Sequence, residues 1–173
     1  MRAFSYKLAH DCLPTKYEIW RRTKHFICEH DPWCQYCKLV HLENINCSTK
    51  HIFEECPVAK RFWSHINSAL VSAGKTPFKV DEKFVFLRLG LNQYDTYFVT
   101  ECLWAIWRVS NHNNYEVTPD KTQNLWHFQS ALEILKSRVT FISSLDKANL
   151  KETTYNKKWC SIIKKLSFVF DNG

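Results

Sequence analysis

Glycine is nearly missing from this chain: there are three in 173 residues, with five prolines and a single methionine. Sandwiches and barrels need many tight turns, so this scarcity favours helices and excludes a glycine-rich phosphate cradle. There is no adjacent Asp-Asp pair flanked by an aromatic, the arrangement with which a polymerase holds two metal ions, and no acidic cluster of nuclease type. No apolar run approaches the length of a membrane span, and the first ten residues lack the apolar core of a secretory signal. The expectation is an intracellular protein, of nucleus or cytoplasm, with no membrane partner. Nucleophile arrangements are also weak. His10-Asp11-Cys12 point in different directions along a helical segment, and Cys160-Ser161 has no base nearby. The sequence reads as a binding protein rather than an enzyme.

Cysteine, in contrast, is plentiful, with eight copies. A disulfide framework would need an oxidising compartment, for which no leader is seen. Four residues have metal-ligand spacing instead. Cys34 and Cys37 are separated by two residues, thirteen follow, and His51 and Cys56 are separated by four. Three soft thiolates and one imidazole suit tetrahedral Zn²⁺ with no open coordination position, a structural rather than a catalytic site. Cys47 with His51 offers a second allowed pair, so the set Cys34, Cys37, Cys47 and His51 stays open on spacing alone. Cys102 and Cys160 fall within apolar helical patterns and read, with Cys12, as small buried hydrophobes. His30 and His41 flank the same loop as solvated residues or neighbours of the ligands.

Hydrophobic residues at 45% and aromatics at 15% are enough for a substantial core. The formal charge of +7 leans towards an anionic partner, nucleic acid being the commonest, although the basic residues are scattered. Thr15-Lys-Tyr-Glu18 is a capping box that should open a helix through Ile19, Trp20 and Arg22, with Glu18 reaching back to the cap. Before it, Phe4, Leu8 and Cys12 recur every four residues as an entering helix broken at Leu13-Pro14. Pro57 starts and Gly74 stops an amphipathic helix whose apolar face holds Val58, Phe62, Trp63, Ile66 and Leu70. The run Phe84–Leu89 is ambiguous between a short strand and a buried helix. Residues 93–112 predict a central buried helix. Thr118-Pro119-Asp120 predicts the start of a longer one, with Leu125, Trp126, Phe128, Leu132, Leu135, Val139 and Ile142 inward. A polar stretch at 146–154 precedes a last helix bearing Trp159, Ile162, Ile163, Leu166 and Val169. The expected fold is an all-α helical bundle with a small CCHC zinc knuckle inserted near the N-terminus: a zinc-binding unit over residues 1–75 and a helical extension over 76–173 packed on it.

The first third of the chain resembles the zinc-binding domain that follows the reverse transcriptase in LINE-type (non-LTR) retrotransposons. Phe4-Ser-Tyr-Lys-Leu-Ala-His-Asp-Cys-Leu-Pro-Thr-Lys16 is similar to that family's aromatic helix and Leu-Pro-Thr-basic turn. Cys34-Gln-Tyr-Cys37 resembles its first ligand pair, with Glu43 in place of its loop glutamate. His51-Ile-Phe-Glu-Glu-Cys-Pro57, followed by Ala59, Phe62 and Trp63, resembles its His-Leu-Phe-x-x-Cys-Pro segment and downstream tryptophan. Leu103-Trp-Ala-Ile-Trp-Arg108 with Asn111 resembles its trailing Trp-x-Ile-Trp-x-x-Arg-Asn stretch. Here Val109-Ser110 stand where the family has an arginine before the asparagine. The match covers roughly residues 4–115 and implies the ligand set Cys34, Cys37, His51 and Cys56, disfavouring Cys47.

The resemblance also implies a role beside target-primed reverse transcription, holding template RNA or target DNA, in the terminal portion of such a polyprotein. The candidate contacts are Lys16, Arg21, Arg22 and Lys24 around the first helix, and Lys60 and Arg61 after the knuckle. Trp33 and Tyr36 are candidates for stacking on unpaired bases. The bland counterpart is that Lys60 and Arg61 are the solvated face of a helix and Trp33 packs over the ligands. The competing function is a scaffold domain that binds protein, such as other components of a retroelement particle, through exposed tryptophans.

Overall fold

The computed structural model describes residues 2–23, 31–87, 91–117 and 123–170. Among these residues seven α-helices follow in order: α1 (Arg2–Ala9), α2 (Lys16–Thr23), α3 (Pro57–Ser72), α4 (Glu82–Leu87), α5 (Gln93–Tyr115), α6 (Phe128–Asn149) and α7 (Glu152–Phe170). Two π-helical turns, Cys37–His41 and His51–Glu55, lie between α2 and α3. Among the described residues there is no strand, only one antiparallel bridge between Trp33 and Asn46. The chain is an all-α bundle with the cysteine-rich knuckle near its N-terminus.

Local signals explain most boundaries. Thr15 Oγ1 accepts from the Glu18 amide at 3.1 Å and so caps α2. The second half of the expected capping box does not form, because the Glu18 carboxylate turns to Arg21 at 2.8 Å and Arg22 at 3.6 Å. Helix α3 starts with Pro57 at its first position, where the missing N–H costs nothing. It ends in a Schellman turn: Gly74 adopts φ +66°, its amide donates to Val71, and the Lys75 amide donates to Leu70. The ambiguous run after residue 80 is helical, with the Asp81 carboxylate accepting from the Phe84 amide at 2.9 Å. Asn92 caps α5 by accepting from the Tyr94 and Asp95 amides.

Helix α5 is the hub. It packs along α6, touches α7, and supports the second π turn; α3 packs against both α6 and α7. Phe98, Cys102, Leu103 and Ile106 of α5 are almost wholly removed from solvent, as are Phe62 and Ile66 of α3, Leu135 of α6 and Trp159 of α7. Phe53 of the second π turn sits 6.4 Å, ring to ring, from both Trp107 and Phe4, and its carbonyl accepts from the Trp63 indole at 3.0 Å. One phenylalanine thus joins α1, α3, α5 and the knuckle.

Three expectations are corrected. The long helix does not take in Leu125 and Trp126, since α6 begins at Phe128; Thr118-Pro119-Asp120 lies outside the described residues. The reason is visible at Asn113, whose amide donates to the Trp126 carbonyl while its oxygen accepts from the Trp126 amide, both at 2.8 Å. A backbone clamped at both polar groups is held out of the helical ladder. The break between the last two helices is only Leu150-Lys151, not the whole polar stretch 146–154. Cys160 is exposed rather than buried. Trp159 takes the inward position, and the next residue on a helix points about 100° away. Ile162 is buried as expected, while the side chains of Ile163, Leu166 and Val169 lie outside the described residues.

Replacing Asn113 by alanine strands both polar groups of Trp126. The expected loss is about 1–3 kcal/mol for each group left unmet in the interior, read as a lower urea midpoint with unchanged slope.

Candidate metal centre

Cys34 is placed by backbone pairing. Its amide donates to Ile45 at 2.8 Å, the Cys47 amide donates to Pro32 at 2.8 Å, and the Trp33–Asn46 bridge lies between. Cys37 opens the first π turn, which closes on Leu42 in the left-handed region at φ 56°, with Leu42 and Glu43 both donating to the Cys37 carbonyl. The second π turn runs from His51, and the Cys56 amide donates to the His51 carbonyl five residues back at 2.7 Å. This winding makes the His-x4-Cys spacing work. On an α-helix of 3.6 residues per turn, residues five apart point about 140° from each other. A wider i→i+5 turn brings them towards one side. Cys56 precedes Pro57 and takes φ −59°, ψ 135°, the extended conformation that proline imposes on its predecessor.

These turns bring Cys34, Cys37, His51 and Cys56 together, with one donor atom of each within 4.8 Å of all the others. All four are buried, at 4%, 0%, 1% and 6% exposure. His51 directs Nε2 at the Cys37 sulfur, 3.4 Å away, and its Nδ1 is buried with no partner. Hydrogen bonds from Cys37 and then Cys47 and Cys56 hold the Cys34 thiol well below the ordinary thiol range. Cys37, which donates to Cys34, is pushed up to about 12, and Cys56 is also raised by its bonds to Cys34 and Cys37. A divalent cation would reverse this logic, since a coordinating thiol gives up its proton outright. The donor set and its burial fit a metal ion, and all four members can hold one.

Cys47 also lies in this neighbourhood, as a bonding partner of the Cys34 thiol, but not within the four-donor cluster. Its sulfur accepts from the Asn114 amide at 3.1 Å. Asn114 does more: its oxygen accepts from the Gln35 amide at 2.9 Å, and its nitrogen also donates to Ser110 at 3.0 Å. The last turn of α5 therefore grips the knuckle at both of its pairing segments. Nothing in the local sequence marks Asn114 for this task, which spans 79 residues. Behind the cluster, against Ile106, Val109 and Asn113 of α5, the free space is about 10 Å³, too small for any substrate.

The candidate nucleic-acid contacts are dispersed. Lys60 and Arg61 are exposed at the end of the first turn and the start of the second of α3, with no ion pair among the described residues. Arg21 and Arg22 are more than half exposed but share Glu18. Lys16 is corrected: its side chain is 11% exposed and bonded to Asp31 at 2.9 Å, and Lys38 binds the same carboxylate at 2.6 Å. That bridge ties α2 to the knuckle and commits the Lys16 ammonium to an ion pair within the chain. Tyr36 is corrected too, being 4% exposed, with its hydroxyl 3.2 Å from His127 Nδ1 and no open ring face for a base. Trp33 is half-buried, and Lys24, Cys28 and His30 lie outside the described residues. The exposed imidazoles of His41 and His127 converge on Tyr36, with ring centroids 6.0 and 5.6 Å from it. Sequence reading missed His127 because it is 91 residues away.

Comparison of the chain with known protein families, curated proteins and solved structures finds no match.

Two outcomes are expected from native mass spectrometry. Cys37→Ala loses the bound ion, whereas Cys47→Ala keeps one ion per chain, because Cys47 stands outside the donor set. Metal uptake must also release thiol protons, so retention falls as pH is lowered from neutral.

Proposed function

We propose that the chain is a non-catalytic, zinc-stabilised module that binds RNA or DNA, akin to the zinc-binding domain downstream of non-LTR reverse transcriptases. Zinc is favoured by the chemistry of the donors, since three sulfurs and one imidazole are a usual structural set for it. A tetrahedral ion with Zn–S bonds of about 2.3 Å requires ligand edges of about 3.8 Å. The cluster, with every pair of donor atoms inside 4.8 Å, needs only a small contraction to reach this. Four protein donors leave no place for a reacting water, and the sealed surroundings leave no path for a substrate. Both favour a structural ion over a catalytic one.

The observation that carries the nucleic-acid reading is where the free cations stand. Cys56 is at once a donor of the cluster and the cap of α3, and Lys60 and Arg61 follow at the end of the first turn and the start of the second. The ion would fix that turn against the knuckle, presenting two unpaired cations on a rigid base. His41 and His127 stand exposed beside Tyr36. Arg21 and Arg22 add partly neutralised charge from α2. Phosphate neutralisation by such groups releases counterions and gives affinity without sequence reading.

A scaffold function is the second reading, and one observation favours it. At the end of the first π turn Val40 and Leu42 are 44% and 87% exposed, an apolar tip suited to another protein.

Salt distinguishes the two. Reversing Arg21, Arg22, Lys60 and Arg61 to glutamate should abolish retention on RNA or DNA while the metal content stays at one ion per chain. For the unmodified protein, log affinity should fall with log salt by about 0.7 per single-strand phosphate contact. Unchanged retention after charge reversal, or binding indifferent to salt, would instead favour the scaffold.

A further inference from the structure

Helices α5 and α6 pack along one another, and a groove of about 650 Å³ opens between them. Its walls are Trp104 and Arg108 from α5, Trp126 from the segment leading to α6, and Glu133, Ile134 and Phe141 from α6 itself. The indole walls are braced by the chain. His112 stacks on Trp126 with ring centroids 3.8 Å apart, and Phe4 meets Trp104 edge-on at 5.2 Å. Arg138, committed to Glu101, lies 5.5 Å over the same Trp104 ring.

Beside this hollow α6 raises a ridge. Phe141 and Leu145 are 63% and 46% exposed and stand one turn apart, with Ile134 on the same stripe two turns before Phe141. Among the described residues no other α-helix shows two large apolar side chains this exposed one turn apart. Charge then decides what fits. Arg108 and Glu133 are both exposed on the walls, and neither has an ion pair among the described residues, not even with the other. A nucleic-acid strand or an acidic peptide would gain from the cation and lose as much to the carboxylate. A surface that carries a knob and a hollow, one free cation and one free anion, is instead complementary to itself. That is the requirement of a two-fold contact, where every pairing is repeated reciprocally across the axis.

We propose that the groove receives a second copy of this chain. Phe141 of each copy enters the other's hollow between Trp104, Trp126 and Ile134, and Arg108 pairs with the partner copy's Glu133 on both sides of the axis. Walls already braced by His112 and Phe4 lose little freedom on docking, which lowers the cost of association. The charge of +7 on each chain opposes approach, but at physiological salt such repulsion is screened beyond about 8 Å. The contact uses none of the residues assigned to the metal or to nucleic acid, and it does not depend on those readings.

Sedimentation equilibrium of the metal-loaded full chain at physiological salt tests this. The expected result is a reversible monomer–dimer equilibrium at micromolar concentration. Phe141→Glu, Arg108→Glu and Glu133→Arg should each weaken the dimer by about tenfold. Their unfolding midpoints should not change, because all three side chains are exposed. The decisive measurement mixes two variants. Arg108→Glu chains and Glu133→Arg chains, each repelled by its own kind, should form a one-to-one heterodimer, since opposite charges then meet at both contacts. A chain that stays monomeric at millimolar concentration, a dimer unmoved by Phe141→Glu, or a mixture that fails to pair would overturn the proposal. Retention of a nucleic-acid strand or a peptide by monomers, lost in Phe141→Glu, would overturn it too and give the groove to that partner.

Discussion

Cys56 meets three demands at once, and the arrangement of the first third of the chain depends on how they are reconciled. Its sulfur belongs to the four-donor cluster, its amide closes a five-residue turn on His51, and its carbonyl accepts the first amide of α3 from Lys60. An extended backbone satisfies all three, and Pro57 enforces that conformation from the following position. A helix cannot run through Cys56, so the turn before it and the helix after it meet at an angle. The cluster sits in that corner. Had the segment continued as one α-helix, His51 and Cys56 would point in divergent directions and no four-donor set would exist.

The second constraint comes from α5. A short knuckle has little apolar surface of its own: between residues 31 and 56 the buried apolar side chains beyond the cysteines are Pro32, Tyr36, Ile52 and Phe53. It is held from outside instead. Asn114 meets the polar groups of Gln35 and Cys47, Trp107 meets Phe53, and Asn113 holds the segment leading to His127, which in turn bonds Tyr36. Amide side chains serve here because each offers a donor and an acceptor, the same pair as a peptide group. Asn67 repeats the device on α3, clamping both polar groups of Phe78.

What was legible in the sequence follows from this division. Ligand spacing, Pro57, Gly74 and the Thr15 cap are local, and each acts through residues within five positions. The helical class was legible because so few turn-forming residues are present. Cys47 could not be separated from Cys56 by spacing, since both distances are allowed; three-dimensional packing decides, with Asn114 drawing the Cys47 sulfur aside. Lys16 and Tyr36 looked free because their partners, Asp31 and His127, are remote in sequence. The start of α6 failed for a related reason. Leu125 and Trp126 carry a helical apolar pattern, but the remote clamp from Asn113 holds the Trp126 backbone out of the ladder.

The same physics bears on how one bundle holds both a buried donor cluster and a buried carboxylate. Buried polar atoms are tolerated only where something answers them. In the knuckle three sulfurs and a ring nitrogen answer one another only partly, and His51 Nδ1 is left without a partner among the described residues. On α5 Arg138 answers one oxygen of the buried Glu101, and the Tyr97 hydroxyl one turn earlier stands beside the carboxylate. Further along α5 the buried amides of Asn113 and Asn114 each meet both a donor and an acceptor.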